Sequence, residues 1–148
     1  MLNVGENSYI TITEAEELLN GKALHTEFVA LSSEVKEKLL IDAAMRIDSL
    51  IYSGRKRSVM QYMEFPRNTM NEVPYQVKYA QALEAVSVLD KNAESRRNLQ
   101  EQGVISVTLG KVSESYGNST VKQKYRGLYN SEAFSLLRRY FAGSVPIV

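Results

Sequence analysis

Few residues in this chain have side chains suited to catalysis. The only histidine is His25, and the chain contains no cysteine. A lone histidine without a thiolate or a second imidazole does not anchor a transition-metal site. Glu14, Glu16 and Glu17 crowd the first turn of a predicted helix, where acidic side chains complement the helix dipole, so capping explains them better than paired-carboxylate catalysis does. The sequence therefore predicts a protein that is not an enzyme and uses no cofactor or metal.

Basic and aromatic residues are concentrated in the stretch YSGRKRSVMQYMEFPRN, residues 52–68. The basic ones are Arg55, Lys56, Arg57 and Arg67, and the aromatic ones are Tyr52, Tyr62 and Phe65. Such residue types pair with phosphates and stack on bases. Aromatics near helix ends also seal hydrophobic cores, however, and surface bases are often only solvated. We interpret the aromatics as core residues and the four bases as outward-pointing groups that contact a neighbouring subunit.

The 148 residues are enough for one domain with a single core. The net charge of +1 is unevenly divided, because residues 1–50 carry nine acidic and four basic residues and the rest of the chain carries the basic excess. This asymmetry could bring nucleic acid to the basic part, let the acidic part of one copy meet the basic part of the next, or leave two solvated faces. Without a signal-peptide pattern or an apolar run of about 18 residues, we expect a cytoplasmic protein with no membrane partner.

Hydrophobic spacing and capping signals predict four helices. They are expected at about residues 14–20, 33–51 and 74–100, and from residue 131 to Gly143. Thr13 and Glu16 match a capping box for the first helix. Ser32 is a suitable cap for the second, and Pro74 suits the first position of the third.

After Gly103 the apolar period changes to two, which indicates strands at residues 104–109 and 112–116 with a turn at Gly110. The predicted fold class is mainly α: a small domain of about four helices, with one β-hairpin between the long third helix and the C-terminal helix. A polar segment at residues 117–126 is predicted to be a mobile loop that contains basic residues. Its basic residues are Lys122, Lys124 and Arg126. The single domain is expected to span residues 1–143, followed by an extended apolar tail at residues 144–148.

Several short motifs occur in an order that resembles a known family. They are ITEA at residues 12–15, YSGRK at 52–56, FPR at 65–67, VP at 73–74, GVISV at 103–107 and SESY at 113–116. Over about residues 10–141 this succession resembles the head–tail connector (head-completion adaptor) family of tailed bacteriophages. Some relatives of this sequence type are labelled DnaT-like single-stranded DNA-binding proteins, which is the alternative function.

The resemblance implies a structural virion protein. About a dozen copies would form a ring beneath the portal protein and join the DNA-filled head to a stopper or tail-completion protein. Genomic DNA would pass through the channel without sequence readout, and the protein would lie at the head–tail interface of the virion and in the host cytoplasm during assembly. An uncharged apolar terminus gains by burial in a partner's groove. The residues expected to dock onto the portal are Tyr140, Phe141, Val145, Ile147 and Val148.

Overall fold

The computed structural model describes residues 1–90 and 126–143, and this part of the chain is mainly helical. Its five α-helices are α1 (Ile12–Leu18), α2 (His25–Val29), α3 (Ser33–Asp48), α4 (Tyr75–Val86) and α5 (Ser131–Leu137). A turn of 3₁₀-helix follows α4 at Ser87–Leu89, and another follows α5 at Arg138–Tyr140.

The predicted architecture of about four helices with one β-hairpin needs correction. Residues 1–90 and 126–143 form five α-helices and contain no β-strand. The hairpin predicted over residues 104–116 lies outside the described residues. Helix α2 was missed because five residues are too few to show a helical period. It begins at His25, between the helices predicted at residues 14–20 and 33–51.

Helix boundaries also differ from the prediction at α1 and α4. The capping box of α1 is formed by Thr11 and Glu14, since the Thr11 hydroxyl accepts from the Glu14 amide at 3.1 Å and the Glu14 carboxylate accepts from the Thr11 amide at 3.1 Å. Thr11 has the extended backbone that an N-cap requires, so the box lies two residues before the predicted one. The regular part of α4 ends at Val86, and residues 91–100 of the predicted long helix are outside the described part.

Helix α4 lies at the centre of the described core and packs against α1, α3 and α5. Its alanines Ala80, Ala82 and Ala85 are fully buried, and their small side chains allow close approach of the neighbouring helices. Gln81 is also fully buried. Its amide group donates to the Ser8 hydroxyl at 2.8 Å and to the Leu40 carbonyl at 2.9 Å, and it accepts from the Tyr9 amide at 2.9 Å. These bonds satisfy the buried polar group and tie the N-terminal segment and α3 to α4.

A buried carboxylate on α4 holds the segment that leads into α5. Glu84 accepts hydrogen bonds from the Tyr129 amide at 3.0 Å and the Asn130 amide at 3.0 Å, and it also accepts from the Arg46 guanidinium of α3 at 2.7 Å. The Asn130 side chain then caps α5 by accepting from the Ala133 amide at 2.8 Å. The start of α5 near Ser131 is as predicted.

The end of the described chain returns to the connector between α3 and α4. The Ser53 amide donates to the Tyr140 carbonyl at 2.8 Å, and the Ala142 amide donates to the Ile51 carbonyl at 3.0 Å. Between them, Tyr52 and Phe141 form an isolated antiparallel bridge. Residues 140–142 therefore support the start of the α3–α4 connector by backbone hydrogen bonds.

Candidate nucleic-acid interface

Residues 52–68, which we call the basic loop, form most of the connector between α3 and α4. At its base, Tyr52 and Phe65 are buried with ring centroids 4.8 Å apart in an edge-to-face arrangement. Phe65 also contacts the ring of Tyr140 at 5.3 Å. The predicted core-sealing role is confirmed for Tyr52 and Phe65. It is wrong for Tyr62, which is 75% exposed.

Arg67 lies in the base of the basic loop with only 5% of its surface exposed. Its guanidinium donates to the carbonyls of Ser53 at 3.0 Å and Gly54 at 2.9 Å, with a longer bond to the Tyr52 carbonyl at 3.4 Å. It also donates to the Glu64 carbonyl at 3.3 Å and pairs with the Glu64 carboxylate at 2.6 Å. Arg67 therefore does not point outward, which corrects its prediction as a surface base.

Backbone contacts hold the two sides of the basic loop together. The Asn68 amide donates to the Arg55 carbonyl at 2.8 Å, and the Asn68 side chain accepts from the Arg55 amide at 3.2 Å. The Arg57 amide donates to the Pro66 carbonyl at 3.0 Å. Gly54 faces Asn68 with a φ of +77°, and a Cβ there would lie 1.9 Å from the Asn68 side-chain oxygen. Glycine suits this position because its φ is positive, and any other side chain would require Asn68 to move.

The tip of the basic loop is organised by the side chain of Gln61. It accepts from the Ser58 amide at 3.1 Å and donates to the carbonyls of Met63 at 2.8 Å and Pro66 at 2.9 Å. This arrangement turns three large side chains outward. Val59 is 94% exposed, Met60 83% and Tyr62 75%.

The remaining bases of the loop differ in their environment. Arg55 and Arg57 are exposed, and Arg57 donates to the Met70 carbonyl and to the Asn71 side chain. Lys56 is partly buried, with its ammonium 3.9 Å from the Glu64 carboxylate. The loop thus presents two guanidinium groups and one tyrosine ring to solvent. Guanidinium groups pair with phosphates and an exposed ring can stack on a base.

Asp48, at the end of α3, links the basic loop to the N-terminal segment. Its carboxylate accepts from the Tyr9 hydroxyl and from the Glu64 amide at 3.3 Å, and the Tyr9 oxygen accepts from the Phe65 amide at 3.3 Å. Burial raises the pKa of Asp48 to about 6. Burial, with the Asp48 charge, also raises the pKa of Tyr9, which keeps its hydroxyl protonated as the donor. Sequence reasoning did not identify this pair, since its members are separated by α1 to α3.

The structure describes only some of the residues predicted to dock onto the portal or to lie in the mobile loop at residues 117–126. Phe141 is 2% exposed and its ring lies 5.7 Å from that of Tyr52, so a partner could reach it only by opening the core. Tyr140 is partly buried beside Phe65. The placement of these two side chains does not support docking through them. Arg126 is exposed, with its guanidinium 4.5 Å from the centroid of the Phe141 ring. The remaining predicted residues lie outside the described part: Lys122, Lys124, Val145, Ile147 and Val148.

Two further findings concern metal sites and membrane spans. Among residues 1–90 and 126–143, no group of three or more His, Asp or Glu side chains could hold a metal ion. In the same part of the chain, no helix has the length and apolar character needed to cross a membrane.

Comparison with known proteins identifies the family. The model of the family described as "Putative DnaT-like ssDNA binding protein" matches residues 2–145. The chain belongs to this family, which agrees with the DnaT-like label predicted for some of its relatives. No curated protein and no solved structure matches the chain significantly. The phage connector function is not tested by these comparisons and stays a prediction.

Proposed function

We propose that this protein binds single-stranded DNA without sequence readout, and that the basic loop supplies the contact surface. The observation that carries the proposal is the exposed Tyr62 ring on a hydrogen-bonded loop that also exposes Arg55 and Arg57. The family description supports the same ligand. The role is that of a binding protein and not of an enzyme.

The chemistry of the loop suits a flexible strand better than a duplex. An aromatic ring stacks on any unpaired base, because every base has a π-face, whereas the bases of a duplex are already stacked. Two guanidinium groups can pair with about two phosphates. Because each neutralised phosphate of a single strand contributes about 0.7 to the salt slope, we expect log K to fall by about 1.4 per tenfold rise in salt concentration.

The stacking contact can be tested with a fluorescent oligothymidine and anisotropy measurements. Tyr62→Ala removes the exposed ring of the basic loop, and we expect binding to weaken about 5- to 150-fold, which corresponds to the loss of one stacked base. Tyr75→Ala is the matched control, because Tyr75 is also exposed (60%) but lies at the start of α4. Equal effects of the two variants, or none from Tyr62→Ala, would contradict the proposal.

The phosphate contacts can be tested in the same assay over a series of salt concentrations. Arg55→Gln removes one exposed charge from the loop, and we expect the salt slope to fall by about 0.7. Lys38→Gln removes the same charge from the exposed face of α3, where Lys38 pairs with Glu34. This control should leave the slope unchanged.

A second candidate function, the connector ring of a tailed phage, is favoured by a different observation. Val59 and Met60 are almost fully exposed at the loop tip, and large apolar side chains held outward suit a protein interface. In this proposal the loop, through Arg55, Lys56 and Arg57, contacts the acidic segment at residues 1–50 of the next copy. The ring would then bind the portal and the stopper or tail-completion protein.

Native mass measurement separates the two candidates. A large ring that Val59→Ser with Met60→Ser dissociates, and that Tyr62→Ala leaves intact, would support the connector function. A monomer or small oligomer that binds single strands in a salt-dependent way would support DNA binding. A monomer that binds neither DNA nor portal-bearing heads would contradict both.

A further inference from the structure

We infer that Arg67 is a positioning residue for the DNA-binding surface: it contacts no DNA itself and holds the basic loop in the conformation that exposes Arg55 and Tyr62. This inference rests on the proposed function. It also reverses the expectation from sequence, in which Arg67 is one of four equivalent surface bases.

The hydrogen bonds of Arg67 account for the whole donor capacity of its side chain. A guanidinium has five N–H groups in a planar fork. The Nε group donates to the Ser53 carbonyl, Nη2 donates to the carbonyls of Tyr52 and Gly54, and Nη1 donates to the carbonyl and carboxylate of Glu64. With five donors directed at five acceptors, and only 5% of the residue exposed, no N–H group is left for a phosphate.

The acceptors lie on both sides of the basic loop. Residues 52–54 are where the loop leaves α3, and Glu64 lies on the returning side, three residues before Arg67. One side chain therefore closes the base of the loop. A lysine could not replace it, because an ammonium has three donors and lacks the planar fork.

This closure determines how the binding groups are presented. The paired backbones next to Arg67 include the bond from the Arg57 amide to the Pro66 carbonyl and the bond from the Asn68 amide to the Arg55 carbonyl. A loop already fixed in its binding conformation loses less conformational entropy when the ligand binds. Loosening it should weaken binding at every salt concentration, without changing the number of phosphates contacted.

The salt slope is therefore the readout that distinguishes positioning from direct contact. For Arg67→Gln, which removes the charge and the guanidinium fork, we expect the affinity for a labelled oligothymidine to fall about tenfold while the salt slope stays at the wild-type value. The Arg57 and Asn68 amides should exchange with solvent faster than in the wild-type protein. Arg139→Gln removes the same charge at an exposed position on the turn after α5; it is the control and should alter neither quantity.

The outcomes separate this inference from the proposed function. A wild-type protein that does not bind single strands would overturn the proposed function and this inference together. If the wild-type protein binds, unchanged affinity in Arg67→Gln, or a slope lowered by about 0.7, would overturn the inference alone. Should the variant fail to fold, amide exchange in the wild-type protein provides the test. Slow exchange at both Arg57 and Asn68 is expected, and rapid exchange at both would show that Arg67 does not hold the loop.

Discussion

At the scale of single residues, Asp48 joins three parts of the molecule. It is the last residue of α3, it accepts from Tyr9 of the N-terminal segment, and it accepts from the Glu64 amide of the basic loop. Burial raises its pKa to about 6, and the negative charge of Glu64 adds to the shift. The two hydrogen bonds and the positive charge of Lys56 act in the opposite direction. The carboxyl group therefore takes up a proton more readily in the folded protein than in the unfolded chain.

This pKa predicts how stability depends on pH. The folded-state pKa of about 6 is above the ordinary value of 3.8, so the contribution of Asp48 is fully present below about pH 4 and is lost as the pH rises through 6. Relative to Asp48→Asn, the wild-type protein should gain about 1–2 kcal/mol of unfolding free energy between pH 7 and pH 4, after allowance for partial exposure. Urea unfolding of both proteins at several pH values measures the difference. A difference that stays constant or shrinks on acidification would contradict the assignment.

Gly54 gives a second prediction at this scale. In Gly54→Ala, the positive φ costs about 1 kcal/mol, and the new Cβ also collides with the Asn68 side chain. Gly21→Ala is a matched control, because Gly21 has a φ of +92° and a Cβ added there would meet nothing within 4 Å. We expect Gly54→Ala to be more destabilising than the control by at least about 1 kcal/mol in thermal or urea unfolding. Equal losses would mean that Asn68 moves aside freely.

At the scale of elements, the position of α5 depends on α4. Helix α5 has only seven residues, too few to be stable alone in water. Its docking combines burial of Ala133 and Leu137 with the hydrogen bonds that Glu84 accepts just before its first turn. The ion pair with Arg46 brings α3 into the same contact.

Removal of the Glu84 carboxylate should therefore be costly. Glu84→Ala leaves the Arg46 guanidinium and two backbone amides without their buried acceptor, and we expect a loss of about 3–5 kcal/mol in unfolding free energy. The exposed Glu72, outside the helices, supplies the control variant Glu72→Ala, for which a change within about 0.5 kcal/mol is expected. Comparable stabilities of the two variants would show that Glu84 does not anchor α5.

At the scale of the whole molecule, the end of the described chain completes the core around the basic loop. The ring of Phe141 lies 5.7 Å from that of Tyr52 and 5.4 Å from that of Phe134. Its backbone bridges to Tyr52 across about ninety positions of sequence. The loop that we propose as the binding surface is thus supported by the C-terminal segment, although the two are far apart in the chain.

This long-range contact predicts a contrast between two aromatic residues. Phe141→Ala should destabilise the fold by about 3–5 kcal/mol, since it leaves a cavity in the core. Tyr62→Ala should change stability by less than about 0.5 kcal/mol, because its ring is exposed. Thermal unfolding measures both, and the second result also shows whether the Tyr62 variant is a valid probe of binding. A small effect of Phe141→Ala on stability would contradict this core role and would leave Phe141 as a possible portal-docking residue.

Local signals in the sequence were sufficient for part of this fold. Ser32 caps α3, and α5 begins at Ser131, as predicted. These features depend on neighbouring residues, because an N-cap bonds within its own first turn. Between Thr11 and Thr13 the local signal was ambiguous, since each is followed by a glutamate three positions later, and only the backbone conformation distinguishes them.

Arg67 and Tyr62 show what only the tertiary structure decided. Sequence reasoning placed the arginine outside and the tyrosine inside, in line with the usual preferences of these residue types. In the structure Arg67 is buried and Tyr62 is exposed. The burial of Arg67 is possible because five acceptors from Tyr52, Ser53, Gly54 and Glu64 converge on its guanidinium. That convergence requires the two sides of the basic loop to lie close together, and it requires residues 140–142 to support the start of the loop. Interactions between residues distant in sequence leave no local pattern. The sequence by itself therefore indicated four of the five described α-helices and the family resemblance, while tertiary packing decided which side chains face the solvent.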